Sequence, residues 1–302
     1  PDTSSALAIF WRLHDLPKAS FAWVRWHRFI TWSKFLYAFG AYYLCLSKPG
    51  QGPNMKTPFY TDQAVTLYHG DCLPILQELP PGIDAILTDP PYCSGGYMEA
   101  QRGAAKMQGL RSERIKEEKF KWFAGDNMTT VGLTWLLRSV LVEGRRLLFP
   151  NRSAFVFCDW RMVPALVPAL ESSGMRWRNL LVWDKGSAGL GCGFKPVHEM
   201  VAEFTNGATE YSTRDGQNVL RFKRVPPGQR LHNAQKPTNV LREILRVAVP
   251  ENGVILDPFA GSGSTLLAAK QEGRRAIGIE LDEENCENIA PRLSQEMDFF
   301  NS

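Results

Sequence analysis

From residue 55 onward, short apolar runs alternate with stretches whose apolar positions recur every three or four residues. Val65-Thr66-Leu67-Tyr68, Ile83 to Thr88, Ser153 to Cys158, Asn179 to Lys185, His198 to Phe204, Val254 to Leu256 and Arg275 to Ile279 read as strands. Runs of this length, apolar at nearly every position and closed by turn residues, suit strands buried on both faces. Between them, Leu73 to Leu79, Thr130 to Leu148, Met162 to Ser173 and Thr265 to Gln271 read as helices. Leu133, Leu136, Leu137, Val140 and Leu141 share one helical face, as do Val240, Leu241, Ile244, Leu245 and Val247 after Thr238. Pro164 fits the first turn of its helix. An acidic, solvated helix follows Leu281. Strands alternating with helices predict an α/β fold, a doubly wound and mostly parallel sheet with helices on both faces.

Composition divides the chain unevenly. Residues 1–54 hold four of the nine Trp, six Lys/Arg and only two acids, whereas the remainder is charge-balanced. A DNA-binding reading therefore needs local basic patches, because net charge does not supply it. The apolar run Phe35 to Leu46 is too short to span a bilayer. Ser47 to Pro53 reads as a linker, Met55 as the start of the recognisable domain, and 1–54 as a basic, Trp-rich extension without an assigned function. None of the six cysteines forms a CxxC pair or sits at zinc-like spacing, so no metal site is expected and the thiols read as reduced and cytoplasmic.

Two strand ends carry the candidate chemistry. Val254-Ile255-Leu256 runs into Asp257-Pro258-Phe259-Ala260-Gly261-Ser262-Gly263 and then a helix. A strand, glycine turn and helix present backbone N–H groups to a nucleotide-like ligand. The next strand ends on Glu280, 19 residues beyond Gly261, near the spacing of about 20 for a carboxylate that binds ribose hydroxyls. The third glycine of a dinucleotide fingerprint is absent, since position 266 is Leu266, and no P-loop Lys follows the glycines. The second strand end is Asp89-Pro90-Pro91-Tyr92. The prolines lack N–H donors and fix φ, leaving carbonyls of Asp89 and Pro90 as free acceptors. A carboxylate, a carbonyl and a flat ring suit a planar group bearing an amine. The plainer alternative is a rigid turn with a packing Tyr.

Together these motifs resemble the amino-methylating DNA methyltransferases, which use S-adenosylmethionine (SAM). Asp-Pro-Pro-Tyr precedes Phe-Ala-Gly-Ser-Gly here, so the order is similar to the circularly permuted β group. Tyr68-His69-Gly70-Asp71-Cys72 and His232-Asn233-Ala234-Gln235-Lys236-Pro237 also match, and the likeness runs from about Val65 to Leu293. The resemblance implies a Rossmann-like SAM-dependent methyltransferase fold with a DNA methyltransferase domain over 55–302. It places Asp89, Pro90, Pro91 and Tyr92 at a flipped base. It places Asp71, Cys72, Lys236, Asp257, Phe259, Ala260, Gly261, Ser262, Gly263, Thr265, Glu280 and Leu281 around SAM, with Lys236 at its carboxylate. Asp71 also reads as the N-cap of the helix beginning at Leu73.

Flipping a base costs a few kcal/mol, and stacking on Tyr92 returns about 1–3 kcal/mol. The resemblance makes Asp89 and the Pro90 carbonyl acceptors for the amine hydrogens, so positioning and charge placement carry the catalysis. Asp rather than Ser at position 89 points to adenine N6. Cytosine N4 is the alternative; further readings are a silent SAM- or DNA-binding module and, where the motif begins with Asn, amide methylation of a protein.

Two polar stretches are candidates for contacting double-stranded DNA. Residues 93–127 carry Arg102, Lys106, Arg111 and Arg114 with further Lys, and read as a lid or clamp. Residues 207–231 carry Arg221, Lys223 and Arg224, and by resemblance hold a small target-recognition insert; an edge hairpin is the alternative. The resemblance leaves a homodimer and a cognate restriction enzyme open, involves no membrane, and implies a prokaryotic or phage-encoded protein.

Overall fold

The computed structural model describes residues 57–91, 128–187, 193–224 and 236–295. Tyr92, the extension 1–54, the expected lid 93–127 and His232 to Gln235 lie outside them. Nine strands form one sheet among the described residues: β1 (Tyr60–Thr61), β2 (Val65–His69), β3 (Ile83–Thr88), β4 (Leu148–Cys158), β5 (Arg176–Asp184), β6 (His198–Thr205), β7 (Val219–Arg221), β8 (Val254–Asp257) and β9 (Arg275–Glu280). Their order is β1-β2-β9-β8-β3-β4-β6-β5-β7. The pairs β2/β9, β9/β8, β8/β3, β3/β4 and β5/β7 are parallel, and β6 runs against both of its neighbours.

The helices are α1 (Cys72–Glu78), α2 (Thr130–Leu147), α3 (Val163–Glu171), α4 (Thr238–Ala248), α5 (Ser264–Gln271) and α6 (Glu283–Gln295). They cover both faces of the sheet. Alternate residues of β3 show why: Ala85 and Leu87 join the layer containing Val240, Leu241, Ile244 and Leu245 of α4, whereas Ile86 joins the layer of α1, α2 and α3. Both faces of the strand are buried, so its sequence shows no polar alternation. Helix α2 buries Leu133, Leu137, Val140, Leu141 and Leu147, and Thr129 caps it by accepting from the Gly132 N–H at 3.1 Å. Pro164 lies in the first turn of α3, while Pro168 lies inside it.

Two elements depart from the pattern reading. Strand β4 begins at Leu148, five residues earlier than its apolar core suggests, because a register shift lets residues 149–152 bulge between the Ile83 and Ala85 pairings. Strand β7 lies within the stretch read as an insert or edge hairpin, but it pairs in parallel with β5. Three residues offer too little periodicity to announce a strand.

The order also locates a crevice. From β8 the chain passes through α5 to β9 on one side, and from β3 through α2 to β4 on the other. Strands β8 and β3 are adjacent, so their outgoing connections diverge. Ligands of open α/β sheets bind outside the carboxyl ends of strands at such a switch point. The two motifs singled out by sequence leave these two strands.

Candidate active site

Thr88 and Asp257 end β3 and β8, and they seal the floor of the crevice. The Thr88 hydroxyl donates to Asp257 Oδ1 at 2.7 Å, and the Phe259 N–H donates to the same oxygen at 3.1 Å. Asp257 is 1% exposed. Burial raises its carboxyl to about 6, against the lowering by its bonds to Thr88 and Thr265. Asp257 and the buried Thr265, assigned to the cofactor by resemblance, thus bond each other, and Asp257 also ties β8 to the end of β3.

The glycine turn rises above this floor. Gly261 and Gly263 have φ of 54° and 74°, the left-handed region that favours glycine. A Cβ on Gly261 would meet only the Phe259 carbonyl, at 3.9 Å, so this side of the turn is open. A Cβ on Gly263 would lie 2.9 Å from Ile289 Cγ2 of α6. The first glycine offers backbone to a ligand, while the second allows helix packing. Ala260 is buried, Phe259 packs on the core, and the hydroxyls of Ser262 and Ser264 lie 3.1 Å apart.

Glu280 holds the turn in place. Its Oε2 accepts from the Gly261 N–H at 2.7 Å, and its Oε1 accepts from the Asp282 N–H at 2.9 Å and Asn285 Nδ2 at 3.1 Å. A carboxylate has about four acceptor positions, so one remains for a hydroxyl. Leu281 beside it is an exposed apolar side chain, and its carbonyl bonds His69 Nε2 at 3.2 Å. At the end of β2, Asp71 caps α1 by accepting from the Leu73 N–H at 3.0 Å. The Cys72 side chain is buried in the core, with its thiol pushed up to about 12 by burial and then by Asp71; any ligand contact there falls to its backbone. The open face of Gly261, the acceptor left on Glu280 and the apolar Leu281 fit a cofactor with a ribose and a flat base.

Across the crevice, Asp89 is held by Lys236, just before α4. Lys236 Nζ lies 2.6 Å from Asp89 Oδ2 and 3.2 Å from Glu199 Oε2. Its ammonium is also 5.3 Å from the centroid of the Phe157 ring. Lys185 Nζ in turn reaches Glu199 Oε1 at 3.2 Å. Burial favours a neutral Lys236, but Asp89 and Glu199 outweigh it and raise its pKa. Burial likewise pushes Glu199 up, and Lys236 and Lys185 hold it below its ordinary range. Lys236 is thus engaged with two carboxylates of the protein, a different neighbourhood from the cofactor carboxylate expected of it.

Glu199 and Lys185 were missed by sequence reasoning. A signal existed: a carboxylate and a Lys at the ends of otherwise apolar strands, although only the pairing of Trp183 with Glu199 across β5 and β6 brings them together. Of the expected DNA contacts, three fall among the described residues. Arg221 and Lys223 are exposed at the edge strand and just beyond it, and Arg224 donates to the Ser187 carbonyl and hydroxyl. Arg102, Lys106, Arg111 and Arg114 lie outside the described residues. Among those residues no cluster of three or more His, Cys, Asp or Glu could hold a metal, and no helix is long and apolar enough to cross a membrane.

Sheet order, switch-point crevice and glycine turn define a Rossmann-like methyltransferase fold. A family model described as DNA methylase (N6_N4_Mtase) matches residues 83–291, and the chain belongs to that family of amino-methylating DNA methyltransferases. The chain is similar to YubD of Escherichia coli (strain K12), at 30% identity over 216 residues covering 71% of this chain and 84% of the relative. It is also similar to the type II methyltransferase M2.LlaDCHI of Lactococcus lactis subsp. cremoris, 27% identical over 268 residues, with 81% and 94% covered. The solved M1.HpyAVI–SAM complex shares the fold, with a TM-score of 0.54 and 22% identity over 76% of this chain and 100% of that one.

Proposed function

We propose that this protein transfers a methyl group from SAM to the exocyclic N6 of adenine in DNA. The observation that supports the reading is that Asp89 directly follows β3 at the switch point, and that β3 lies beside β8, from which the glycine turn leaves. SAM supplies the electrophilic methyl group. Gly261 gives it an open backbone face, Glu280 an acceptor for a ribose hydroxyl, and Leu281 an apolar surface for its base. On the other side, Asp89 and the Pro90 carbonyl accept the two amine hydrogens and so aim the nitrogen lone pair at the crevice. Pro91 fixes the turn, and Tyr92 stacks on the extruded base. Methylation leaves the nitrogen positively charged and acidic, so Asp89 needs only ordinary basicity to take its proton. The choice of adenine rests on Asp at position 89.

The relatives named type II methyltransferases support a modification role beside a restriction enzyme. The buried, free thiols of Cys72, Cys158 and Cys286 suit a reducing cytoplasm. Basic residues of 93–127 and Arg221, Lys223 and Arg224 are the proposed phosphate contacts.

The test is incubation with methyl-labelled SAM and unmodified genomic DNA, followed by digestion to nucleosides. Label in N6-methyladenine is expected. Label in N4-methylcytosine would retain the mechanism and overturn the base, and SAM binding without DNA label would favour a binding module or a protein substrate.

A further inference from the structure

Lys236 stands where two demands meet. It opens the segment leading into α4, is 7% exposed, donates to Asp89 and lies within ion-pair distance of Glu199. An ammonium buried this far is retained only when its charge is balanced. Two carboxylates balance it, and Lys185 offsets the second of them. Asp89, Lys236, Glu199 and Lys185 thus form a chain of alternating charge, from the turn after β3 through the start of β6 to the end of β5.

That arrangement has a chemical consequence for Asp89. A carboxylate that accepts amine hydrogens must be correctly rotated, and an ammonium at 2.6 Å holds it so. A cation belonging wholly to Asp89 would also draw down its strength as an acceptor. Glu199 takes part of that cation, 3.2 Å away, and leaves Asp89 the stronger acceptor. Among the described residues, other ionisable groups near Asp89 include Asp257, at the end of β8, and the Cys158 thiol, at the end of β4 and pushed up to about 12 by burial and then Asp159. Neither is a cation, so Lys236 is the positive group at this position among those named.

We propose that Lys236 and Glu199 are positioning residues for Asp89. Lys236 fixes the carboxylate, Glu199 tunes how much of the Lys charge it feels, and both act on methyl transfer rather than on cofactor binding. This rests on the reading of Asp89 as the amine acceptor.

The test uses the full chain, with wild type measured first on the DNA base it labels. Wild type, Lys236→Met, Lys236→Arg, Glu199→Gln and the double variant Lys236→Met/Glu199→Gln are compared. SAM affinity is read by calorimetry, single-turnover methyl transfer at saturating SAM by label, and folding by thermal melts. Lys236→Met is expected to slow transfer by about 100-fold, the scale of a misplaced catalytic group, with SAM affinity unchanged. Lys236→Arg should restore part of that rate. Glu199→Gln should slow transfer less, again without a change in affinity, and its effect should disappear once Lys236 is already Met. A loss of SAM affinity with a wild-type rate at saturation would put Lys236 on the cofactor and overturn the proposal. Equal transfer rates in all variants would reduce the ion pairs to a structural role. If Lys236→Met fails to fold, Lys236→Arg and Glu199→Gln decide by the same two readouts. A wild type that labels no DNA base overturns the functional reading itself, and this is seen before any variant is compared.

Discussion

The two walls of the crevice hold their carboxylates in different ways. On the glycine-turn side, Glu280 is gripped by the N–H groups of Gly261 and Asp282 and by the Asn285 amide. On the Asp89 side, the partners among the described residues include the charged side chain of Lys236 and, beyond it, Glu199 and Lys185. Backbone donors are fixed by the fold and suit a wall that must present one shape to a cofactor. Charged side chains share their charge with one another, so they suit a wall where a reacting amine must be aimed and its charge received. On the proposed function the difference separates binding from chemistry, and mutations on the two sides should fail in different ways.

The largest effect is expected from Asp89→Ala. It should cut single-turnover transfer by about 100-fold or more, the usual scale for losing a group aimed at developing charge, while calorimetry still shows SAM binding. Undiminished turnover would remove Asp89 from the chemistry and dissolve the contrast.

Asp257 tests the seam between the walls. Burial raises its carboxyl to about 6 in the fold, from the ordinary aspartate value of about 4. The folded state therefore binds more protons between these values. The stability it contributes is full below the lower value and is lost as pH rises through the higher one, a difference of about 3 kcal/mol. Asp257→Asn should flatten that slope in urea titrations run across the interval. An unchanged slope would show that Asp257 ionises normally.

The glycines sharpen the comparison within one wall. Gly263→Ala meets Ile289 and a positive φ, and should cost about 1–3 kcal/mol of stability in a denaturant melt. Gly261→Ala faces open space, so it should cost only the backbone strain of about 1 kcal/mol and lose SAM affinity instead. Equal stability losses would mean that the two glycines serve packing alike. The smallest effect is expected from Glu280→Gln, which keeps the shape and weakens a charged hydrogen bond. SAM affinity should fall about tenfold with the transfer rate at saturating SAM preserved, the reverse of Asp89→Ala.

Much of this architecture was legible along the chain. Strands β2, β3, β6, β8 and β9 showed themselves as apolar runs because a doubly covered sheet leaves no polar face, and α2 and α4 showed themselves by their stripes. The resemblance singled out the ends of β3 and β8, which the sheet order makes neighbours, because each motif is a contiguous strand end. Strand β7 escaped, being three residues held by pairing with β5 alone. The early start of β4 escaped because its bulged residues look like a turn. In the site, Gly261 and Gly263 are indistinguishable in sequence, and only the approach of Ile289 separates them.

The sequence by itself determined the class of fold and the two motif-bearing strand ends at the switch point, since alternation, glycine turn and the Asp-Pro-Pro-Tyr run are local properties. The tertiary structure decided which side chain meets which. Lys236 is 147 residues from Asp89, and the parallel order β8-β3-β4 with β6 running back beside β4 carries Glu199 to the same edge. A local pattern fixes how a residue faces its own element, but an ion pair between distant segments is set by sheet order, and that order is written in no single stretch of the chain.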